Sequence, residues 1–194
     1  LLNFGFRPQT NSVNVVSDVS FQIGGPILEK RLRFFGSFRD WRVHVNVPTA
    51  LEGNPPIANM GSALDQTNIT SGLTNVLLQI SDRNRLTGFY TRQYYKKPNR
   101  FTGDSSVTTT LSNSREDDVF NIYQLLWNSV ITSKMFMDAR VSYSTIWFPL
   151  WNNGREQSLS DLSTGVLLRN QASEQLYTRK RLQASATFQY YLDR

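Results

Sequence analysis

The chain has no cysteine and a single histidine among 194 residues. Without cysteine there are no disulfides, no thiolate metal sites and no cysteine nucleophiles. Any Ser-His-Asp arrangement would have to use His44, which lies near a strand end with no patterned partner and reads as a solvated loop histidine. One histidine, no cysteine and no spaced carboxylate loop leave no ligand set for a metal, and no cofactor is expected. The run Arg115-Glu-Asp-Asp118 reads as a charged strand end rather than a calcium loop. No glycine-rich phosphate loop is present. With neither catalytic nor metal-ligating residues to name, the chain is not expected to be an enzyme. Long apolar runs are also missing: the longest candidates, such as Ile146 to Trp151, are short and contain Pro149. That excludes a membrane helix. It does not exclude a membrane β-barrel, whose strands keep half their residues on a polar side. Neither Leu1 nor the strand-like pattern around Phe188 looks like a natural terminus, so a longer parent protein is expected.

What is present is alternation. Met135, Met137, Ala139, Val141, Tyr143, Thr145 and Trp147 fall on one side of an extended chain; Phe136, Asp138, Arg140, Ser142, Ser144 and Ile146 fall on the other. The preceding stretch repeats this, with Val119, Tyr123, Leu125 and Trp127 opposite Gln124 and Asn128. The turn at Ile131 to Lys134 joins the two stretches. Each exceeds the roughly 9–11 tilted residues that cross a bilayer. Tyr143 and Trp147 towards the end away from the turn suit a transmembrane hairpin.

Similar segments recur. One runs from about Val15 to Ile23, and Gly24-Gly25-Pro26 is expected to end it in a tight reversal. A second starts near Leu32; its apolar phase slips after Asp40, which predicts a β-bulge or an exit from the membrane. Pro48 to Gly72 reads as a long polar connection. Thr74 to Ser81 and Arg85 to about Tyr95 form the next hairpin, with Leu86, Gly88 and Tyr90 outward and an ambiguous phase. Lys97 to Asp118 and Phe148 to Tyr177 are long connections, the second with a possible short helix over Leu159 to Asn170. A last strand covers Arg181 to Leu192. The fold expected is all-β: an antiparallel up-and-down transmembrane β-barrel segment of about seven strands, incomplete as a barrel, with residues 1–194 belonging to one domain. Short connections fall at one end and long ones at the other, as in outer-membrane barrels.

The formal charge is +6. Lys30, Arg31 and Arg33, then Lys96, Lys97 and Arg100, then Arg179, Lys180 and Arg181 form basic groups at strand ends. No nucleic-acid-binding motif accompanies them, so they read as solvated rims beside anionic outer-leaflet lipid rather than a nucleic-acid surface.

Two stretches carry a family resemblance. Gly24-Gly25-Pro26-Ile27, followed by the basic turn and Leu32-Arg-Phe-Phe-Gly-Ser-Phe38, resembles the early barrel of Oar-like TonB-dependent receptors. Ile80-Ser-Asp-Arg-Asn-Arg-Leu-Thr-Gly88 resembles the turn and strand start that follow there. The resemblance implies a piece of a bacterial outer-membrane receptor and transporter. The parent would bind a ligand at its extracellular loops and pass it across the outer membrane when the TonB system moves a plug. The plug, the TonB-engaging segment and any carboxypeptidase-regulatory-like domain have no counterpart here. Implied partners are the TonB system, outer-membrane lipid and lipopolysaccharide, and a transported ligand.

On this reading the lumen-facing candidates for binding are Gln124, Asn128, Asp138 and Arg140. Asp138 and Arg140 are same-face neighbours that pair with each other or across the strand, and generic lumen lining is the blander role for them. Val141, Tyr143, Ala184, Ala186 and Phe188 are expected to face lipid. The alternative is a secreted β-sandwich module that binds carbohydrate or protein through its long loops. A sandwich would bury its apolar face against a second sheet.

Overall fold

Seven long strands follow one another as a single antiparallel meander. The computed structural model describes residues 11–51, 62–102 and 109–192, leaving out the side chains of residues 48–51 and 62. The strands are β1 (Ser12–Leu28), β2 (Leu32–Leu51), β3 (Ser62–Ser81), β4 (Asn84–Lys97), β5 (Ser114–Thr132), β6 (Met135–Asn152), the short β7 (Leu159–Asp161) and β8 (Val166–Leu168), and β9 (Gln175–Tyr190). The large sheet has the order β1-β2-β3-β4-β5-β6-β9, and β7 and β8 form a separate hairpin. No helix occurs among the described residues. Among the described residues the sheet is open: β1 pairs only with β2, and β9 only with β6. The all-β class and the seven antiparallel strands expected from the pattern are therefore present; a closed barrel is not.

The strands of the large sheet run from 14 to 20 residues, more than twice the roughly five or six usual in globular proteins. Three connections are tight: residues 29–31, 82–83 and 133–134. Those at the opposite end are long, at 52–61, 98–113 and 153–174. The tight turns share one design. Each is preceded by a register shift in the incoming strand, at Pro26/Leu28, Gln79/Ser81 and Val130/Thr132. The last turn residue of each then accepts an amide from the neighbouring segment: Gln79 N–H donates to Arg31, Val130 N–H to Arg83 and Tyr191 N–H to Lys134. The bulges place the irregularity at the rim and leave the middle of the ladders unbroken.

Direct cross-strand partners share a face, so the register carries one face across the whole sheet. Phe34, Val76, Gly88, Leu125, Val141 and Ala184 form one row. The next row holds Tyr90, Tyr123, Tyr143 and Leu182, with Tyr90 and Tyr123 stacked at 4.8 Å between ring centroids and Tyr143 at 6.3 Å from Tyr123. This face is apolar and uncovered. Phe21 is 61% exposed, Leu125 43%, Leu182 72% and Phe188 61%. Val141, Tyr143, Ala184, Ala186 and Phe188 all lie on this face. No second sheet packs on it among the described residues, and the buried apolar cluster consists of Val47 and Ala63.

Several expectations need correction. Gly24, Gly25 and Pro26 do not form the reversal; they lie inside β1, opposite Phe35, Phe34 and Arg33. The turn comes at residues 29–31, where Lys30 takes the left-handed conformation with φ 62°. Gly24 has a packing reason instead: a Cβ there would sit 3.2 Å from the Phe35 ring and 3.0 Å from the Phe34 carbonyl. Gly25 faces open space.

The apolar phase change after Asp40 is not a bulge. The β1–β2 and β2–β3 ladders run through it without a shift, so Trp41, Val43, Val45 and Val47 lie on the opposite face from Phe34 and Phe38. That face is covered near the long connections, where Val47 is 7% exposed and Ala63 opposite it 1%. Local burial, not a slipped register, explains the change of phase. His44 is a strand residue rather than a loop one, with Nε2 2.9 Å from Asn68 Oδ1. The stretch Pro48 to Gly72, read as a connection, contains the last four residues of β2 and eleven residues of β3 from Ser62, and the part of it at 52–61 lies outside the described residues. The phase of β4 settles with Leu86, Gly88, Tyr90 and Arg92 on the apolar face and Phe89 on the other.

Residues 159–170 form no helix. Asp161 Oδ1 accepts from both the backbone N–H and the hydroxyl of Ser163. Gly165 sits at φ 71° with its N–H donating to Asp161 O, so the chain turns back into a hairpin.

Candidate functional site

The four candidate residues lie on the less apolar face of β5 and β6. The register pairs Asn128 with Asp138, Leu126 with Arg140, and Gln124 with Ser142. Asn128 Nδ2 donates to Asp138 Oδ1, and Arg85 Nε and Nη2 donate to Asn128 Oδ1 at 3.3 and 3.2 Å. An amide thus bridges a guanidinium and a carboxylate across three strands. The group lines a cleft of about 490 Å³ beside the short turns, together with Gln79 and Gln189. Asp138 pairs across the strand and forms no ion pair with Arg140 among the described residues. Gln124 shares the face but lies outside the cluster, opposite Phe89 and Ser142.

Arg85 was not singled out from the sequence. Its phase within β4 was the missing signal, since a one-residue slip would have turned it to the other face. A second cleft of about 590 Å³ on the same face is lined by Asp18, Ser20, Gln22, Ser37, Ser71 and Thr91, among others. Arg39 closes a two-pronged bridge to Asp18 there, with Nε 2.8 Å from Oδ1 and Nη2 2.6 Å from Oδ2. The planar fork matches the carboxylate geometry.

At the other end of the sheet the long connections dock on each other. Asn153 Nδ2 donates to Pro98 O, Asn99 Oδ1 and Thr110 O at 2.9–3.0 Å. Gln171 Nε2 donates to Ser112 O at 2.7 Å. Gly154 lies so close to the neighbouring connection that a Cβ would meet Arg169 O at 2.1 Å. Beneath this joint, Arg100 Nε approaches Glu116 Oε2 at 2.7 Å without hydrogen-bond alignment, and Lys97 Nζ approaches Asp65 Oδ1 at 2.8 Å in the same way. Glu116 is only 4% exposed. Asp118, on the same face two residues on, has its carboxyl pushed up to about 8 by desolvation and by Glu116 beside it. The acidic run is the charged start of β5, with Glu116 buried beneath the loop joint, Asp118 beside it on the same face and Asp117 on the opposite face. No group of three or more His, Asp or Glu side chains suited to a metal occurs among the described residues.

No protein-family model, curated protein or solved structure matches this chain.

Proposed function

We propose that the chain is part of an outer-membrane β-barrel receptor and transporter of the Oar-like, TonB-dependent kind. Ligand is captured at the long-connection end and passed along the polar face, through a barrel completed by further strands. The observation that carries this reading is the uncovered apolar face, continuous over seven strands and backed by a face with charged and amide side chains. In water such a face is a liability; in lipid it is the required surface. The exposed edges of β1 and β9 point the same way, because unpaired backbone groups are not tolerated in hydrocarbon unless the sheet closes. β1 and β9 run in the same direction, so closure with antiparallel pairing takes an odd number of additional strands. A sandwich finds no support in this arrangement, since no second layer faces the apolar side among the described residues.

Tryptophan fluorescence tests the reading. Trp127 and Trp147 belong to the apolar face, 40% and 38% exposed, whereas Trp41 lies on the other. Trp127 Nε1–H donates to Asn84 Oδ1 at 3.2 Å, the amphipathic placement of an interfacial indole. In single-tryptophan variants of the full-length protein reconstituted into brominated phosphatidylcholine, Trp127 and Trp147 are expected to be quenched and Trp41 spared. Equal quenching at all three refutes the proposal.

A further inference from the structure

The polar face carries an unbalanced set of arginines. Between the row of Arg85 and the row of Arg39 the register places Arg33, Arg39, Arg85, Arg140, Arg179 and Arg181 on that face, against the single carboxylate Asp138; the next row towards the long connections adds Asp18 and Asp118. The apolar face over the same rows carries Arg92 and Lys180. Asp138 is engaged by Asn128 and Asp18 by Arg39. Arg33, Arg140, Arg179 and Arg181 are exposed and have no ionic or hydrogen-bond partner among the described residues.

These four fall into two tiers. Arg33 and Arg140 share one row, through Leu77, Thr87 and Leu126. Arg181 is opposite Ser144 and Arg179 opposite Ile146, four and six residues further along β6 than Arg140. At about 3.3 Å per residue the tiers stand roughly 13–20 Å apart. The row midway between them holds Asn75, Phe89, Gln124, Ser142 and Gln183, all uncharged.

From this we infer that the polar face is a two-tier relay for anions, and that the solute it takes carries more than one carboxylate or phosphate group. The inference rests on that face lining the lumen. Guanidinium suits the task better than ammonium: it is always charged, weakly hydrated and able to hold a carboxylate or phosphate through two parallel hydrogen bonds. Two separated tiers with a neutral gap allow an anion to be held and then released, because neither tier binds it with the whole set of charges.

The test uses the full-length protein in detergent, titrated calorimetrically with inositol hexakisphosphate and, as an uncharged control, raffinose. Saturable binding of the phosphate and none of raffinose is expected. Arg33→Gln with Arg140→Gln, or Arg179→Gln with Arg181→Gln, is expected to weaken binding about tenfold or more, the worth of a charge-assisted hydrogen bond. Arg92→Gln with Lys180→Gln, on the other face, is expected to change it less than about twofold. Lysine at the same inner positions keeps the charge and is expected to restore most of the affinity, which separates lost charge from lost folding. Absence of phosphate binding, or an equal loss from the outer pair, overturns the inference and leaves the arginines to an acidic stretch of polypeptide. Tryptophan quenching of the same protein reconstituted into brominated phosphatidylcholine separates the two readings: quenched Trp127 and Trp147 with no phosphate binding sink the relay alone, and unquenched tryptophans sink the lumen with it.

Discussion

Replacing Val141 by arginine puts the membrane reading to a quantitative test. Val141 lies in the middle of the apolar face, with Leu125 and Ala184 beside it across the strands and Ala139 and Tyr143 two residues away along β6. It is 40% exposed. The nearest carboxylate of that face on β5 is Asp117, eight residues from Leu125 along the strand, or roughly 26 Å at about 3.3 Å per residue. An arginine at this position therefore finds no partner within reach. In lipid near mid-membrane it is expected to cost roughly 2–4 kcal/mol. That is about 30-fold to nearly 1,000-fold in the folding equilibrium. Ser142→Arg is the control. Its side chain belongs to the other face, between Gln124 and Gln183, and a substitution there is expected to stay within about 0.5 kcal/mol. Both variants are made in the full-length protein, and urea titrations of folding into phosphatidylcholine vesicles compare them with the parent. Equal shifts for the two, or a milder effect of Val141→Arg, refute the assignment of faces.

Other expectations concern the loops, pH and sufficiency. Gly154→Ala forces a Cβ to within 2.1 Å of Arg169 O and is expected to open the loop joint, read as faster protease cleavage within residues 98–113 or 153–174; Gly25→Ala, which faces open space, leaves the pattern unchanged. Asn153→Ala removes three donations and is expected to cost about 1–3 kcal/mol locally, seen as lost amide-exchange protection in the same connections. Asp118 has a folded-state pKa of about 8, above its unfolded value, so the folded state holds a proton that the unfolded state releases as pH rises from ~4. The joint is therefore expected to lose protease resistance between pH 5 and about 8, and Asp118→Asn to flatten that profile. Residues 1–194 alone expose 13752 Å², against roughly 9,400 Å² for a compact protein of 22.3 kDa. They are expected to aggregate without detergent, and a sharply melting soluble monomer in sedimentation and calorimetry would contradict this.

Much of this architecture is legible in the sequence because strand geometry is local. Successive side chains must point to opposite faces, so the alternation from Met135 to Trp147 and from Leu182 to Tyr190 assigned those residues to faces without reference to any neighbour. The same logic separated Asp138 and Arg140 from Val141 and Tyr143, and the spacing of turn residues set the alternation of tight and long connections. Other features depended on cross-strand partners. Whether Asp40 begins a bulge is settled by pairs with Val19 and Thr70, twenty-one and thirty positions away, and whether Gly24 and Gly25 turn the chain is settled by pairs with Phe35 and Phe34 on the next strand. The bridge from Arg85 through Asn128 to Asp138 needs three strands in register at once. The hairpin at 159–168 and the joint at Asn153 and Gly154 answer to loop contacts that no period describes. The sequence alone determined which side of a strand each residue takes, since that follows from one backbone's pleat. Only the tertiary structure decided which residues meet there, since register and loop docking are sums over contacts between distant segments.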